Sequence, residues 1–206
     1  MTHFVLMAPR NLRLVRQAMS SLSLSFCFSL GIVILFAATS LCAQQQKPAE
    51  YAVKAAYLYN FGRFVEWPDT APSSTGGSFP ICVLGDDPFG RILDGVLAGQ
   101  TIDGKPVLPK RLSKYQEAVN CRILFIRSLK DKELTDALAA LDKAGVLTVS
   151  DMPEFLRRGG MIEFVLERNK VRFQVNLAIA EAAGLSLSSE LLKVAVAVQR
   201  TAQPGD

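Results

Sequence analysis

Three short apolar runs constrain this chain most: 80–84 (PICVL), 121–126 (CRILFI) and 146–149 (VLTV). None alternates polar with apolar residues, so each predicts a strand buried on both faces. Helical spacing follows the first two, with Phe89, Ile92, Leu93, Val96 and Leu97 after one and Leu134, Leu138 and Leu141 after the other. Strand, loop and helix in succession predict a mainly parallel sheet with helices on both faces. Val107 and Leu108 supply a further short strand between the first two.

Local signals punctuate this pattern. Gly85 turns the chain, Asp87 reads as a helix N-cap and Pro88 suits the first helical position. Ser128 with Asp131 reads as a capping box, and Asp151 with Glu154 as the start of a short helix through Leu156 that Gly159 and Gly160 stop. Segments 161–166 and 171–175 then flank a turn at 167–170, the pattern of an antiparallel hairpin. Helices at 176–183 and 188–198 close the chain, and an amphipathic helix at 50–67, ended by Pro68, opens the folded part. The Pro-, Ser- and Gly-rich stretch 69–78 is a loop. The expected fold class is α/β: a single compact domain with a mainly parallel sheet flanked by helices and a C-terminal antiparallel hairpin.

The first 43 residues read differently. Arg10, Arg13 and Arg16 precede an apolar run from Ser20 to Ala38, and Ala43 follows as a small cleavage-site residue, the order of a secretory signal. Ser within the run argues against an uncleaved anchor, and the bulk of Leu41 argues against lipid attachment at Cys42. Cleavage after residue 43 leaves 44–206, a length suited to one domain. It removes three of the 23 basic residues and none of the 19 acidic ones, so the formal charge falls from +4 to near zero. A basic nucleic-acid footprint is excluded. His3, the sole histidine, leaves with the signal, as do Cys27 and Cys42. Without imidazole, and with only Cys82 and Cys121 left, His-based triads and the usual zinc sites are excluded, and no cofactor is expected.

Five segments in order, KAAYLYNFGRFVEWP (54–68), ICVLGDDPFG (81–90), CRILFI (121–126), LTVSD (147–151) and GGMIEF...VRFQVN...AAGLSLSSELLKVA (159–195), resemble the YfiR/HmsC-like family. The resemblance implies a secreted, mostly periplasmic bacterial protein with a compact α/β fold and no enzymatic activity. It implies a partner as well, the periplasmic part of a membrane-bound diguanylate cyclase, which such proteins repress to lower cyclic di-GMP and restrain biofilm. Some members carry a second cysteine pair associated with redox control. This chain lacks it, so that regulation does not carry over.

Candidate residues fall in five groups. Cys82 and Cys121 lie at the starts of predicted strands. An oxidising compartment favours a bridge between them, while two separate buried thiols and a reactive redox pair are the alternatives. Asp86, Asp87 and Phe89 follow the first strand at the carboxyl edge, where open α/β sheets bind ligands, although capping alone accounts for at least one aspartate. Glu163, Arg172 and Asn176 come from the hairpin and its end, where the family resemblance is most recognisable. A surface ion pair and a helix cap would explain Arg172 and Asn176 without a partner. Leu192 and Val196 belong to a closing helix apolar nearly all round, a sign of burial on two sides, one of which could be a dimer or partner contact. Trp67, with Arg63 and Glu66 beside it, reads either as an interface anchor or as a core lid.

Two functions of different class follow: a non-enzymatic regulator of a membrane-bound diguanylate cyclase or other membrane sensor, and a periplasmic small-molecule binding protein using the region 85–89. An enzyme built on carboxylates is a distant third. The leader makes the first testable prediction: mass-spectrometric sequencing of the exported protein should find its N-terminus near Gln44, and retention of Met1 would contradict it.

Overall fold

The computed structural model describes residues 49–69 and 77–201. The expected signal sequence and most of the 69–78 loop therefore lie outside the described residues. Helix α1, described over 49–64, leads into strand β1 (Val65–Glu66). There follow β2 (Phe79–Gly85), α2 (Arg91–Leu97), β3 (Thr101–Ile102), β4 (Lys105–Leu112), a 3-10 turn (Tyr115–Asn120), β5 (Ile123–Arg127), α3 (Asp131–Ala140) and β6 (Leu147–Ser150). The hairpin β7 (Ile162–Glu167) and β8 (Lys170–Asn176) comes next, then α4 (Leu177–Ala182), β9 (Ser186–Leu187), α5 (Ser189–Val194) and β10 (Ala197–Gln199).

The main sheet has eight strands in the order β10-β8-β7-β6-β5-β2-β4-β3, and β1 pairs with β9 in a separate two-stranded ribbon. Within the main sheet only β7 with β8 and β3 with β4 are antiparallel. The expected α/β class with a mainly parallel sheet and a C-terminal hairpin is the observed one. Side chains of the central strands alternate between two cores. Ile81, Val83, Ile123, Phe125, Leu147 and Val149 enter the larger one beneath α1, α2 and α4, which contribute Leu58, Phe61, Leu93, Leu97 and Ala180. Cys82, Leu84, Leu124 and Ile126 enter the smaller one with Leu134 of α3 and Ala118 of the 3-10 turn. Both faces are covered, as the uninterrupted apolar runs require.

Cys82 and Cys121 are disulfide-bonded inside the smaller core, their Cα atoms 6.0 Å apart. Gly85, at φ +88°, ends β2 where a Cβ would lie 1.9 Å from the carbonyl oxygen of Arg127, so only glycine fits beside β5. Arg168 and Asn169, both at positive φ, make the two-residue bend of the hairpin, the geometry that matches strand twist.

Four expectations are corrected. The first helix stops at 64 rather than 67, because Val65 and Glu66 pair with Leu187 and Ser186. Gly90, not Asp87, precedes α2, and Asp87 instead holds the loop by accepting from the amides of Phe89 (2.8 Å) and Gly90 (3.2 Å). Neither capping box forms. Ser128 sits at positive φ three residues before α3, and Glu154 at positive φ breaks the stretch after Asp151 into turns. Finally, the closing helix does not reach Val198: α5 ends at Val194, and 197–199 form β10, parallel to β8.

A 39-residue separation between the bridged cysteines makes the bond worth about 4 kcal/mol in the chain-entropy view. The Cys82→Ser/Cys121→Ser double variant should therefore unfold at a markedly lower denaturant concentration, read as a shift in the midpoint. A midpoint equal to that of the oxidised protein would refute a stabilising role.

Candidate functional site

Strand β2 runs outward to β4 through α2, whereas β5 runs the other way to β6 through α3, so their carboxyl ends form the switch point at which open α/β sheets take ligands. In this protein two aromatic rings occupy it. Phe89 is buried there, edge-on to Phe125 at 4.8 Å and to Tyr51 of α1 at 5.5 Å. Around Tyr51 lies a polar network with no counterpart in the sequence reading. Lys54, only 3% exposed, donates to Asp151 Oδ2 at 2.7 Å and to Glu50 Oε1. The Tyr51 hydroxyl donates to the same Asp151 oxygen at 2.9 Å and accepts from Arg127 Nη1, which lies 3.8 Å from that carboxylate. Burial, then the hydrogen bond and charge of Asp151, push the Tyr51 hydroxyl up to about 12. These groups satisfy one another and lock the start of α1 onto the ends of β5 and β6.

The expected residues disperse over the molecule. Asp86 is exposed, and Asp87 pairs with Arg111 Nε at 2.9 Å, which also grips Asp94 and the Gly90 carbonyl. Glu163 Oε2 accepts from the Leu156 amide at 3.2 Å and so anchors the turns after β6. Arg172 stands half-buried across from Val165 on the same face of the hairpin. Asn176 is buried and caps α4 by accepting from Ile179 N at 3.2 Å, while its Nδ2 donates to Gln199 Oε1 at 3.4 Å. Leu192 packs against the larger core. Val196 is 40% exposed, and its amide donates to the Phe173 carbonyl at 3.0 Å.

One expected group does acquire a surrounding surface. Val53, Tyr57, Asn60 and Phe64 recur at helical spacing along one face of α1. Tyr57, Asn60 and Phe64, with Phe173, Leu191 and Val194, line a groove of about 350 Å³. Val53, Phe64, Val194 and Val196 are all exposed, Val194 to 59%. The first turns of α1 thus belong to the polar lock, and its outer face joins the C-terminal segment in an apolar surface.

The YfiR/HmsC-like family model matches residues 51–196, from the first turn of α1 to the residue before β10. The chain belongs to this family. No curated protein matches it. Among solved structures, a conserved domain protein from Vibrio cholerae O1 biovar El Tor is 11% identical with a TM-score of 0.44, over 58% of this chain and 54% of that one. The ABC domain from Streptococcus pneumonia in complex with L-Trp is 11% identical with a TM-score of 0.43, over 60% of this chain and 56% of its own. The chain spans little more than half the length of each.

At the opposite, amino-terminal edge of its sheet this YfiR/HmsC-like domain holds a second buried cation among the described residues. Arg122, just before β5, is 7% exposed, and its Nε and Nη1 are enclosed with no hydrogen-bond partner. Its guanidinium lies over the Trp67 ring, 5.7 Å from the centre. Burial lowers its basicity, against the opposing fields of Asp103 and Asp69. Sequence reasoning missed Lys54, Arg127, Asp151 and Arg122 as site residues. Only the four-residue spacing of Glu50 and Lys54 was a local sign of the network.

The lock yields a paired prediction. Asp151→Ala leaves the buried Lys54 ammonium with Glu50 alone and removes the acceptor of the Tyr51 hydroxyl, and should cost about 3 kcal/mol, while Asp87→Ala, which opens a more exposed pair and two loop hydrogen bonds, should cost less, about 1 kcal/mol, in urea melts. Because the folded state holds the Tyr51 proton more tightly, its contribution is complete below about pH 10 and is lost between about pH 10 and 12. Tyr51→Phe should flatten that part of the stability profile. An unchanged alkaline profile would show that Tyr51 is not the titrating group.

Proposed function

We propose that this YfiR/HmsC-like protein is a non-enzymatic periplasmic regulator. It binds the periplasmic part of a membrane-bound diguanylate cyclase and holds it in a low-activity state, which lowers cyclic di-GMP. The observation that carries the reading is the exposed apolar surface of Val53, Phe64, Val194 and Val196 beside the groove at Tyr57 and Phe173. Exposed apolar residues grouped in this way mark contact sites rather than ordinary surface. Family membership supplies the kind of partner. The disulfide and the leader suit a compartment outside the inner membrane, and no described helix is long and apolar enough to cross one. The contact inhibits because it is tighter in the inactive conformation of the cyclase than in the active one.

A solute-binding role at 85–89 has less support. Phe89 and Tyr51 fill the switch point, and Asp87 is committed to Arg111 and to its own loop. A second copy of this chain is the competing occupant of the apolar surface.

Val194→Glu and Val196→Glu should each raise cellular cyclic di-GMP and biofilm while leaving export and the far-ultraviolet spectrum unchanged. Leu166→Glu, on another exposed apolar side chain at the hairpin tip, should leave repression intact. Folded, exported Val194 and Val196 variants that still repress fully would overturn the proposal. If these variants instead change the sedimentation coefficient of the isolated protein without affecting cyclic di-GMP, the surface is a homodimer contact.

A further inference from the structure

We propose that the groove between α1 and α5 receives one amphipathic helix of the partner, laid along α1. The inference rests on the reading of this surface as the partner contact and names the shape that fills it. Val53, Tyr57, Asn60 and Phe64 are spaced four, three and four residues apart on α1, the intervals at which one helix meets another along a coiled-coil seam. At a rise of about 1.5 Å per residue they run for about 16 Å, three turns of a facing helix. Fixed rings back the seam. Tyr57 lies 5.4 Å from Phe173 and 5.9 Å from both Phe61 and Phe164, measured between ring centres. On the α5 side, buried Leu191 and exposed Val194 close the far wall.

What the groove can bond decides between a helix and an extended segment. Its backbone groups are already paired where they matter: the Phe64 carbonyl accepts from the Ser188 amide at 2.9 Å, and the Phe173 carbonyl accepts from the Val196 amide at 3.0 Å. The Leu191 amide donates to Ser188 Oγ at 3.2 Å. An extended peptide lying here finds no ladder to join and buries its own amides unpaired, which protein interiors rarely tolerate. A helix satisfies its backbone internally and brings only side chains to the contact. Charge then sets its direction. Arg63 on the α1 wall and Glu190 on the α5 wall both line the groove, and neither forms an ion pair among the described residues. The incoming helix therefore carries an acid on the flank facing α1 and a base on the flank facing α5, the kind of flanking pair that selects partner and orientation between helices. Asn60, in the middle of the seam, calls for a polar residue opposite it, which fixes register.

The probe is a fluorescein-labelled synthetic helix of three heptads, hydrocarbon-stapled, with Leu along its seam, one central Asn, Glu on one flank and Lys on the other. Titrated into the purified exported protein and followed by anisotropy, it should bind saturably below about 1 mM. An unstapled peptide of the same pattern with two central prolines should bind at least about tenfold more weakly. Val194→Glu should weaken the stapled helix at least about tenfold, and Leu166→Glu should leave its affinity unchanged. Arg63→Glu makes both walls acidic and should shift preference to a helix with Lys on both flanks, by about two- to fivefold. Glu190→Lys should shift it as far toward one with Glu on both flanks. No saturable binding of the stapled helix, or equal binding of the proline peptide, would overturn the proposal, and neither measurement needs a variant to fold. Self-association of the protein that Val194→Glu abolishes, without helix binding, would give the groove to a second copy and overturn it too. Preferences unmoved by Arg63→Glu and Glu190→Lys would refute the assigned direction. Cyclic di-GMP separates this inference from the reading beneath it. Helix binding lost in a Val194→Glu protein that still represses would keep the helix site and remove the cyclase as its partner. Derepression by Val194→Glu with no preference for a helix would keep the regulator and overturn the helix.

Discussion

Two-sided burial of β2, β5 and β6 is the constraint from which the rest of the architecture follows. Strands β2 and β5 feed alternate side chains into two separate cores, and β6 sends Leu147 and Val149 into the larger one while burying Thr148 and Ser150 on its other face. Neither face can therefore be left to water, and covering elements must come from both ends of the described chain. The larger face takes α1 from one end of the described chain and α4 from near the other. The smaller face has α3 and a short 3-10 turn, less secondary structure for a similar width of sheet. The disulfide lies on that thinner side, joining β2 to the residue that precedes β5, so a covalent link supports the face where packing is scarcer.

This constraint was readable because it is written in local composition. An uninterrupted ICVL or ILFI has few solutions other than a covered strand, and turn chemistry at 167–170 specified the hairpin. Where reading failed, long-range pairing had overruled a local signal. Pro68 marked a plausible helix end, yet Val65 and Glu66 had already left the helix for partners about 120 residues away. At the C-terminus, the run 194–198 (VAVAV) was read as a helix apolar all round, although a β-branched residue at every second position is the period of a strand. Asp151 looked like a cap because caps are local, whereas its partners Tyr51 and Lys54 come from a helix about 100 residues earlier.

Function divides in the same way. Asp87 and Asn176 proved to hold their own loop and helix, which local rules describe well. The apolar surface and the contact of Arg122 with Trp67 are each assembled from segments far apart in the sequence, and no spacing rule connects Phe64 with Val194, or Trp67 with Arg122. Both nonetheless depend on the same ribbon: β1 leads from the helix that carries Phe64 directly to Trp67, and its partner β9 leads into α5.

The order of the main sheet has one more consequence. Its two outermost strands, β3 and β10, are two and three residues long, and each covers one end of the longer strand behind it: Lys105 and Pro106 of β4, and Gln174 to Asn176 of β8. Behind β10 stands β8, seven residues long and apolar on one face. Strand β10 thus guards the apolar end of β8: a chain cut after Val194 would bare the whole flank of β8 and present a longer template on which copies could stack edge to edge into aggregates.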